Sequence, residues 1–133
     1  ETIEDRVDHL MKIRDLQDKT EGFTAFIPWP FQPKNTQLNS IAVSGFEYLK
    51  TLAVSRIVLD NITNIQASWV TQGAKIAQMA LLFGANDMGS TMLEENVVKA
   101  AGVSFQMSEN DIKRLITDLN LIPRRRNNNY QLL

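Results

Sequence analysis

The 133-residue chain carries 14 Lys and Arg against 15 Asp and Glu, a single histidine and no cysteine. That length gives room for one domain burying roughly two-thirds of its unfolded surface, and a net charge of −1 argues against a nucleic acid or an anionic membrane as partner. The absent cysteines exclude disulfides, zinc ribbons, thiol nucleophiles and iron–sulfur ligation from within this sequence, and the lone His9 excludes a multi-histidine metal site. The composition is that of a cytoplasmic protein and names no chemistry.

Residues 1–20 are charged and amphipathic, with no starting methionine and no signal-peptide pattern, so Glu1 reads as a cut point within a longer protein. Thr2…Asp5 is a Ser/Thr-x-x-acid capping box, which satisfies the free amides of a helix start. It opens a predicted helix with Ile3, Val7, Leu10 and Met11 on one face. Phe23 to Trp29 follows Gly22 as a candidate strand and stops at Pro28-Trp29-Pro30. Ser44…Glu47 caps a second helix, with Phe46, Leu49, Ala53 and Ile57 as its expected buried face. Asn64 to Val70 alternates, Ile65, Ala67 and Trp69 on one side and Gln66 and Ser68 on the other. A helix over 72–83 with Ile76, Met79, Ala80 and Phe83 ends at Gly84, and Ala85 to Met88 is a brief third strand. Thr91…Glu94 and Ser108…Asp111 cap two further helices, the last with Ile112, Leu115, Ile116 and Leu119 aligned. The tail Arg124-Arg125-Arg126-Asn127-Asn128-Asn129 reads as a solvated basic run sooner than as a phosphate contact, and Lys34, Lys50, Lys75 and Arg56 as solvated charges, with a neighbouring carboxylate as the alternative partner of Arg56.

Strands alternating with helices over short links predict an α/β fold with a parallel sheet and outer helices. A central strand of an open sheet is apolar on both faces, whereas a strand with one polar face suits a barrel whose lumen is polar. Three strands cannot close a (β/α)₈ barrel, which needs eight and typically ~250 residues. The chain is therefore either a small open α/β domain or the C-terminal portion of a TIM-type barrel. In the second reading, residues 1–105 form the barrel part and 106–133 a terminal helix with a basic, Asn-rich tail.

In parallel α/β folds the chemistry sits beyond the carboxyl ends of the strands. The segment Ile27 to Thr36 has three prolines, the flat apolar rings of Trp29 and Phe31, and the amides of Gln32 and Asn35. It is either a wall around an aromatic ligand or a rigid loop packing its rings into the core. In 64–73, Gln66 and Ser68 would meet a polar uncharged group, while Thr71 is either a plain N-cap or part of an anion site at a helix start. The third segment crowds Asn86, Asp87, Ser90 and Thr91 between Gly84 and Glu94-Glu95. It lacks the Lys-Ser/Thr of a phosphate loop, and Glu94 and Glu95 suit a first helical turn as readily as catalysis. No Ser/His/Asp or Cys/His set is present, and the adjacent Glu94 and Glu95 diverge on a helix, against a two-carboxylate glycosidase site.

Ile27-Pro28-Trp29-Pro30-Phe31-Gln32-Pro33, Asp60-Asn61-Ile62-Thr63-Asn64-Ile65-Gln66-Ala67-Ser68-Trp69 and Gly84-Ala85-Asn86-Asp87 through Gly89-Ser90-Thr91 and Glu94-Glu95-Asn96, in that order, resemble the cyclic dehypoxanthine futalosine synthase family. These are radical S-adenosylmethionine enzymes of the futalosine route to menaquinone. The likeness runs from about residue 2 to residue 105 and loosens beyond Phe105. Aminofutalosine synthase and the deazaflavin-precursor synthase subunits share the frame, and Gln32 and Ser68 favour the cyclase over the aminofutalosine enzyme.

The resemblance implies a TIM-type barrel, a 4Fe-4S cluster and S-adenosylmethionine, the cluster held in the family by a Cys-x-x-x-Cys-x-x-Cys loop of which this chain has no residue. It implies dehypoxanthine futalosine as small-molecule substrate, with a sugar radical closing onto the benzoate ring. Trp29, Phe31, Gln32, Gln66 and Ser68 become substrate-binding candidates, and Asn86, Asp87, Ser90, Thr91 and Glu94 candidates for the ribose or adenosyl parts of substrate or cofactor. No catalytic residue and no metal ligand are assigned. The chain alone is expected to be inactive, to need the N-terminal part of its own barrel as partner, and to self-associate through exposed apolar surface and strand edge. The alternatives are a sister synthase and a free-standing half-barrel that binds without catalysing.

Overall fold

The computed structural model describes residues 1–33, 37, 42–91 and 105–133. Among these residues it holds five helices: α1 (Ile3–Thr20), α2 (Gly45–Val58), α3 (Trp69–Gln72), α4 (Ala74–Ala80) and α5 (Glu109–Thr117). The expected helix starts at Thr2, Ser44 and Ser108 stand, and the one at Thr91…Glu94 lies outside the described residues. At Thr2 and Ser108 both halves of the capping box form. The Asp5 amide donates to Thr2 Oγ1 at 3.1 Å while the Thr2 amide donates to Asp5 Oδ2 at 2.8 Å. At Ser44 only the forward bond from the Glu47 amide is made, at 3.2 Å.

The helix expected over 72–83 starts earlier and breaks. Ser68 is the N-cap of α3, Thr71 lies inside it, and Gly73 separates it from α4. Gly73 sits at φ 79°, where a side chain is strained, and a Cβ there would lie 3.1 Å from the Phe105 ring. Thr71 is thus not an N-cap: its hydroxyl donates to the Ser68 carbonyl at 3.2 Å.

In place of three strands the chain lays down extended segments joined by isolated parallel bridges, Phe26 to Ile65 and Gln66 to Asp87. The Phe26 amide donates to Asn64 O and its carbonyl accepts from Gln66 N, both at 2.9 Å. Asn86 N donates to Ile65 O at 3.0 Å and Ala67 N to Asp87 O at 2.8 Å. The segments lie in chain order and run parallel, with 64–67 in the middle. Pairing stays short because Ser68 enters α3 on one side while Gly89, at φ 74°, turns the chain away on the other.

The main core joins Tyr48, Leu49 and Leu52 of α2 to Ile65, Ala67, Trp69, Ala77, Ala80 and Met88. A smaller cluster of Leu10, Leu59 and Ile62 seats α1, and Phe26 packs against both. Two expected helix faces are corrected. On α2 the buried set is Tyr48, Leu49, Leu52 and Ser55, while Phe46 and Ile57 are 74% and 77% exposed. This helix is apolar on most of its circumference, so periodicity alone fits either face. On α1, Ile3, Val7 and Met11 are exposed and Leu10 is buried; the helix is held as much by polar bonds. Arg14 Nε donates to Asp60 Oδ1 at 2.9 Å, and the buried Gln17 exchanges two bonds with the Phe23 backbone. Met107 and the face of α5 carrying Ile112, Leu115 and Ile116 close the same main core, so residues 105–133 share it with the rest of the chain. No described helix is long and apolar enough to cross a membrane.

Candidate functional site

The carboxyl ends of the three extended segments are 26–28, 66–68 and 87–89, and their amino ends carry a different set of side chains. There Arg56, near the end of α2, donates from Nε to Gly84 O at 2.7 Å and from Nη1 to the Ile62 and Thr63 carbonyls at 3.3 Å. Its Nη2 donates to Asn86 Oδ1 at 3.1 Å, an oxygen that also accepts the Ile65 amide at 2.8 Å. Asn86 Nδ2 returns to Thr63 O at 3.3 Å. Arg56 is therefore a half-buried staple rather than a solvated charge, and desolvation lowers its pKa. Asn86 belongs to this amino-end network and does not join Asp87.

At the carboxyl ends, Gln66 and Asp87 come together through a residue the sequence left in the tail. Arg126 grips Asp87 with two parallel bonds, Nε to Oδ2 and Nη2 to Oδ1, the second at 2.9 Å. Its Nη2 also reaches Gln66 Oε1 at 3.5 Å. Asp87 Oδ1 further accepts the Gly89 amide at 2.6 Å. The Asp87 side chain is 11% exposed and that of Arg126 21%, and the carboxylate raises the Arg126 pKa. Gly89 sits at φ 74°, where a side chain is strained, and a Cβ there would stand 2.6 Å from Gln66 Nε2 and displace that carboxamide.

The tail is shaped to deliver that guanidinium. Asn127 closes a turn, accepting at Oδ1 from the Asn129 and Gln131 amides at 2.9 and 3.1 Å. Tyr130 N donates back to Asn127 O at 3.1 Å, and the tyrosine ring stacks with its centroid 4.0 Å from Arg126 Cζ. Arg126 and Leu132 form an antiparallel bridge. One residue earlier, Arg125 pairs with Glu109 on α5 at the surface, so of the basic run Arg126 is docked while Arg124 and Arg125 stay exposed. Sequence reasoning missed Arg126 and Tyr130. The legible signal was the Asn run: a turn former between an arginine and an aromatic brings the two side chains onto one another.

The remaining candidates divide. Ser68 is buried and its hydroxyl is 2.7 Å from Thr71 Oγ1, while its amide donates to the Tyr48 phenol at 2.8 Å. Burial pushes the Tyr48 phenol up to about 12. Trp29 and Phe31 are 45% and 47% exposed on a loop anchored by the buried Pro28, and Gln32 Nε2 donates to Pro30 O within that loop at 3.1 Å. Ser90 and Thr91 are exposed, the Ser90 carbonyl accepting from the buried Trp69 Nε1 at 3.2 Å. Glu94, like Asn35 and Thr36, lies outside the described residues.

The profile of the CofH/MqnC C-terminal region matches residues 20–133. The chain is 47% identical over 134 residues to cyclic dehypoxanthine futalosine synthase of Halalkalibacterium halodurans, covering 100% of this chain and 36% of that protein. It is 44% identical over 134 residues to the enzyme of the same name from Streptomyces coelicolor, covering 100% of this chain and 34% of the relative. It is also 44% identical over 135 residues to 5-amino-6-(D-ribitylamino)uracil--L-tyrosine 4-hydroxyphenyl transferase of Methanococcus vannielii, covering 96% of this chain and 38% of that protein. The chain thus spans between 34% and 38% of the length of these curated relatives.

Proposed function

The chain belongs to the CofH/MqnC C-terminal region family, and on that premise we propose that it is the C-terminal part of a radical S-adenosylmethionine enzyme that cyclises dehypoxanthine futalosine in menaquinone biosynthesis. The observation that carries this reading is the 47% identity to a cyclic dehypoxanthine futalosine synthase across the whole chain. The parallel bridges in chain order support a portion of a TIM-type barrel. In this reading residues 1–105 build barrel wall, and 106–133 are a terminal helix and a tail laid across the segment ends.

The radical chemistry of this class is supplied by a 4Fe-4S cluster and S-adenosylmethionine. The chain has no cysteine, and no group of three or more His, Cys, Asp or Glu among the described residues could hold a metal. Its residues do not fit as cluster ligands, and its contribution is the substrate wall. Trp29 and Phe31 offer ring faces to an aromatic ligand, Gln32 an amide beside them, and Gln66, Asp87, Ser90 and Thr91 polar groups near the segment ends. Such a wall holds two reacting parts of one substrate at bonding distance and keeps water out.

A second reading makes the parent a 4-hydroxyphenyl transferase. It is favoured by the 44% identity to the Methanococcus vannielii enzyme, equal to that of the second cyclase. The deciding experiment expresses the full reading frame that encodes this chain, reconstitutes it anaerobically with iron and sulfide, and supplies S-adenosylmethionine. Conversion of dehypoxanthine futalosine to its cyclised product is the expected result. Turnover only of 5-amino-6-(D-ribitylamino)uracil with tyrosine would overturn it in favour of the second reading.

A further inference from the structure

Arg126 makes bonds that a solvated tail arginine does not. It binds both oxygens of one carboxylate, touches a carboxamide on the neighbouring segment, donates from Nη1 to Asn127 O at 3.2 Å, and carries an aromatic ring on its face. The fork matches the carboxylate in a way a lysine ammonium cannot. Without it, Asp87 loses both guanidinium bonds and the cover they give, and its bond from the Gly89 amide ends on a carboxylate no longer held in place. Gln66, whose carboxamide occupies the space a side chain at position 89 would need, loses its 3.5 Å contact with the guanidinium.

We infer that Arg126 is a positioning residue, and that segment 124–133 acts as a strap which sets the Gln66 carboxamide and the Asp87 carboxylate at the carboxyl ends of their segments. The strap reaches these residues from 60 and 39 positions away in sequence, so at the carboxyl ends it adds a side-chain tie to two segments already paired through the Gln66–Asp87 bridge and the Asn86 side chain. Asn127 supplies the turn and Tyr130 the covering ring, which makes the arginine's approach a property of the whole strap. The inference rests on the reading that these segment ends face substrate, and it assigns the specificity of that face to the tail as well as to the loops.

The test uses the full-length reconstituted enzyme and whichever substrate the wild type turns over. Arg126→Ala is expected to lower kcat/KM at least tenfold, chiefly through KM. Arg126→Lys, which keeps the charge and stem but loses the fork, is expected to recover little of that loss. Asp87→Asn should cost a similar factor, and the double variant no more than either single one, because both remove the same pair. Hydrogen exchange followed by mass spectrometry gives a readout independent of turnover: in both arginine variants the Gly89 amide and its peptide exchange faster while α2 keeps its protection. Wild-type kinetics in Arg126→Lys, or unchanged exchange at Gly89 in both arginine variants, would overturn the inference. A wild-type enzyme that ignores dehypoxanthine futalosine sinks the proposed reaction instead, and leaves Arg126 to be judged on the exchange and on the substrate actually used.

Discussion

Single polar atoms in the interior decide how the middle segment ends. Ser68 stands where extended backbone becomes α3, a point where an amide has left the ladder and has not yet joined the helix. Tyr48 solves this from α2 by accepting that amide at 2.8 Å, with its phenol inside the main core. Tyr48→Phe keeps the ring and leaves the buried Ser68 amide unpaired, so urea unfolding should read a loss of ~1–3 kcal/mol. Ser68→Ala should cost less, since the Thr71 hydroxyl retains the Ser68 carbonyl. Equal losses in the two variants would mean that the hydroxyl pair, not the phenol–amide bond, holds this junction. The same accounting explains why Ser68 looked like a ligand group in the sequence. Alternation shows that a side chain points away from the apolar face; it does not show that Thr71 already waits there.

At the scale of elements, local signals were legible and long-range ones were not. The capping pairs at Thr2, Ser44 and Ser108 lie within four residues of one another, and each marks a helix start in the structure. Three of the four residues aligned on α5, Ile112, Leu115 and Ile116, do face the core, because the polar face of that helix is unambiguous, while Leu119 lies beyond the helix end. The faces of α1 and α2, the early start of α3 and the docking of Arg126 depend on partners 20 to 60 positions away, which no local period encodes. For α5 this produces a pH dependence. Glu109, in its first turn, is held near about 2 by the Arg125 guanidinium and then Lys113. A depressed carboxylate contributes stability above its unfolded value of 4.5 and loses it as pH falls toward about 2. Asp111, lowered by the Ser108 hydroxyl and amide, acts in the same direction. Denaturation midpoints measured from pH 5 to pH 2 should fall steadily, and Glu109→Gln should flatten part of that slope. An identical slope in the variant would place the acid sensitivity elsewhere.

Across the molecule, the described apolar side chains are buried in two clusters, and a second set is left outside. Phe46 and Ile57 on α2, Ile3, Val7 and Met11 on α1, and Leu82 and Phe83 after α4 are all exposed. Ile3, Val7, Leu10 and Val54 also line an apolar groove between α1 and α2. Among the described residues, the segments around Phe26 and Asp87 are each paired on one side only. Exposed apolar residues on adjoining helices, together with unpaired extended backbone, favour association with further chain, and in isolation the partner at hand is another copy. Light scattering of the 133-residue chain should therefore give a mass above 15.1 kDa that rises with protein concentration. Replacing Phe46 and Ile57 with glutamate places charge on the exposed face of α2 without touching Tyr48, Leu49 or Leu52, and should shift the mass back toward the monomer. The double variant should keep its helical circular dichroism, because neither side chain contributes to the core. A wild-type chain that stays at 15.1 kDa at every concentration would show that these surfaces do not drive self-association.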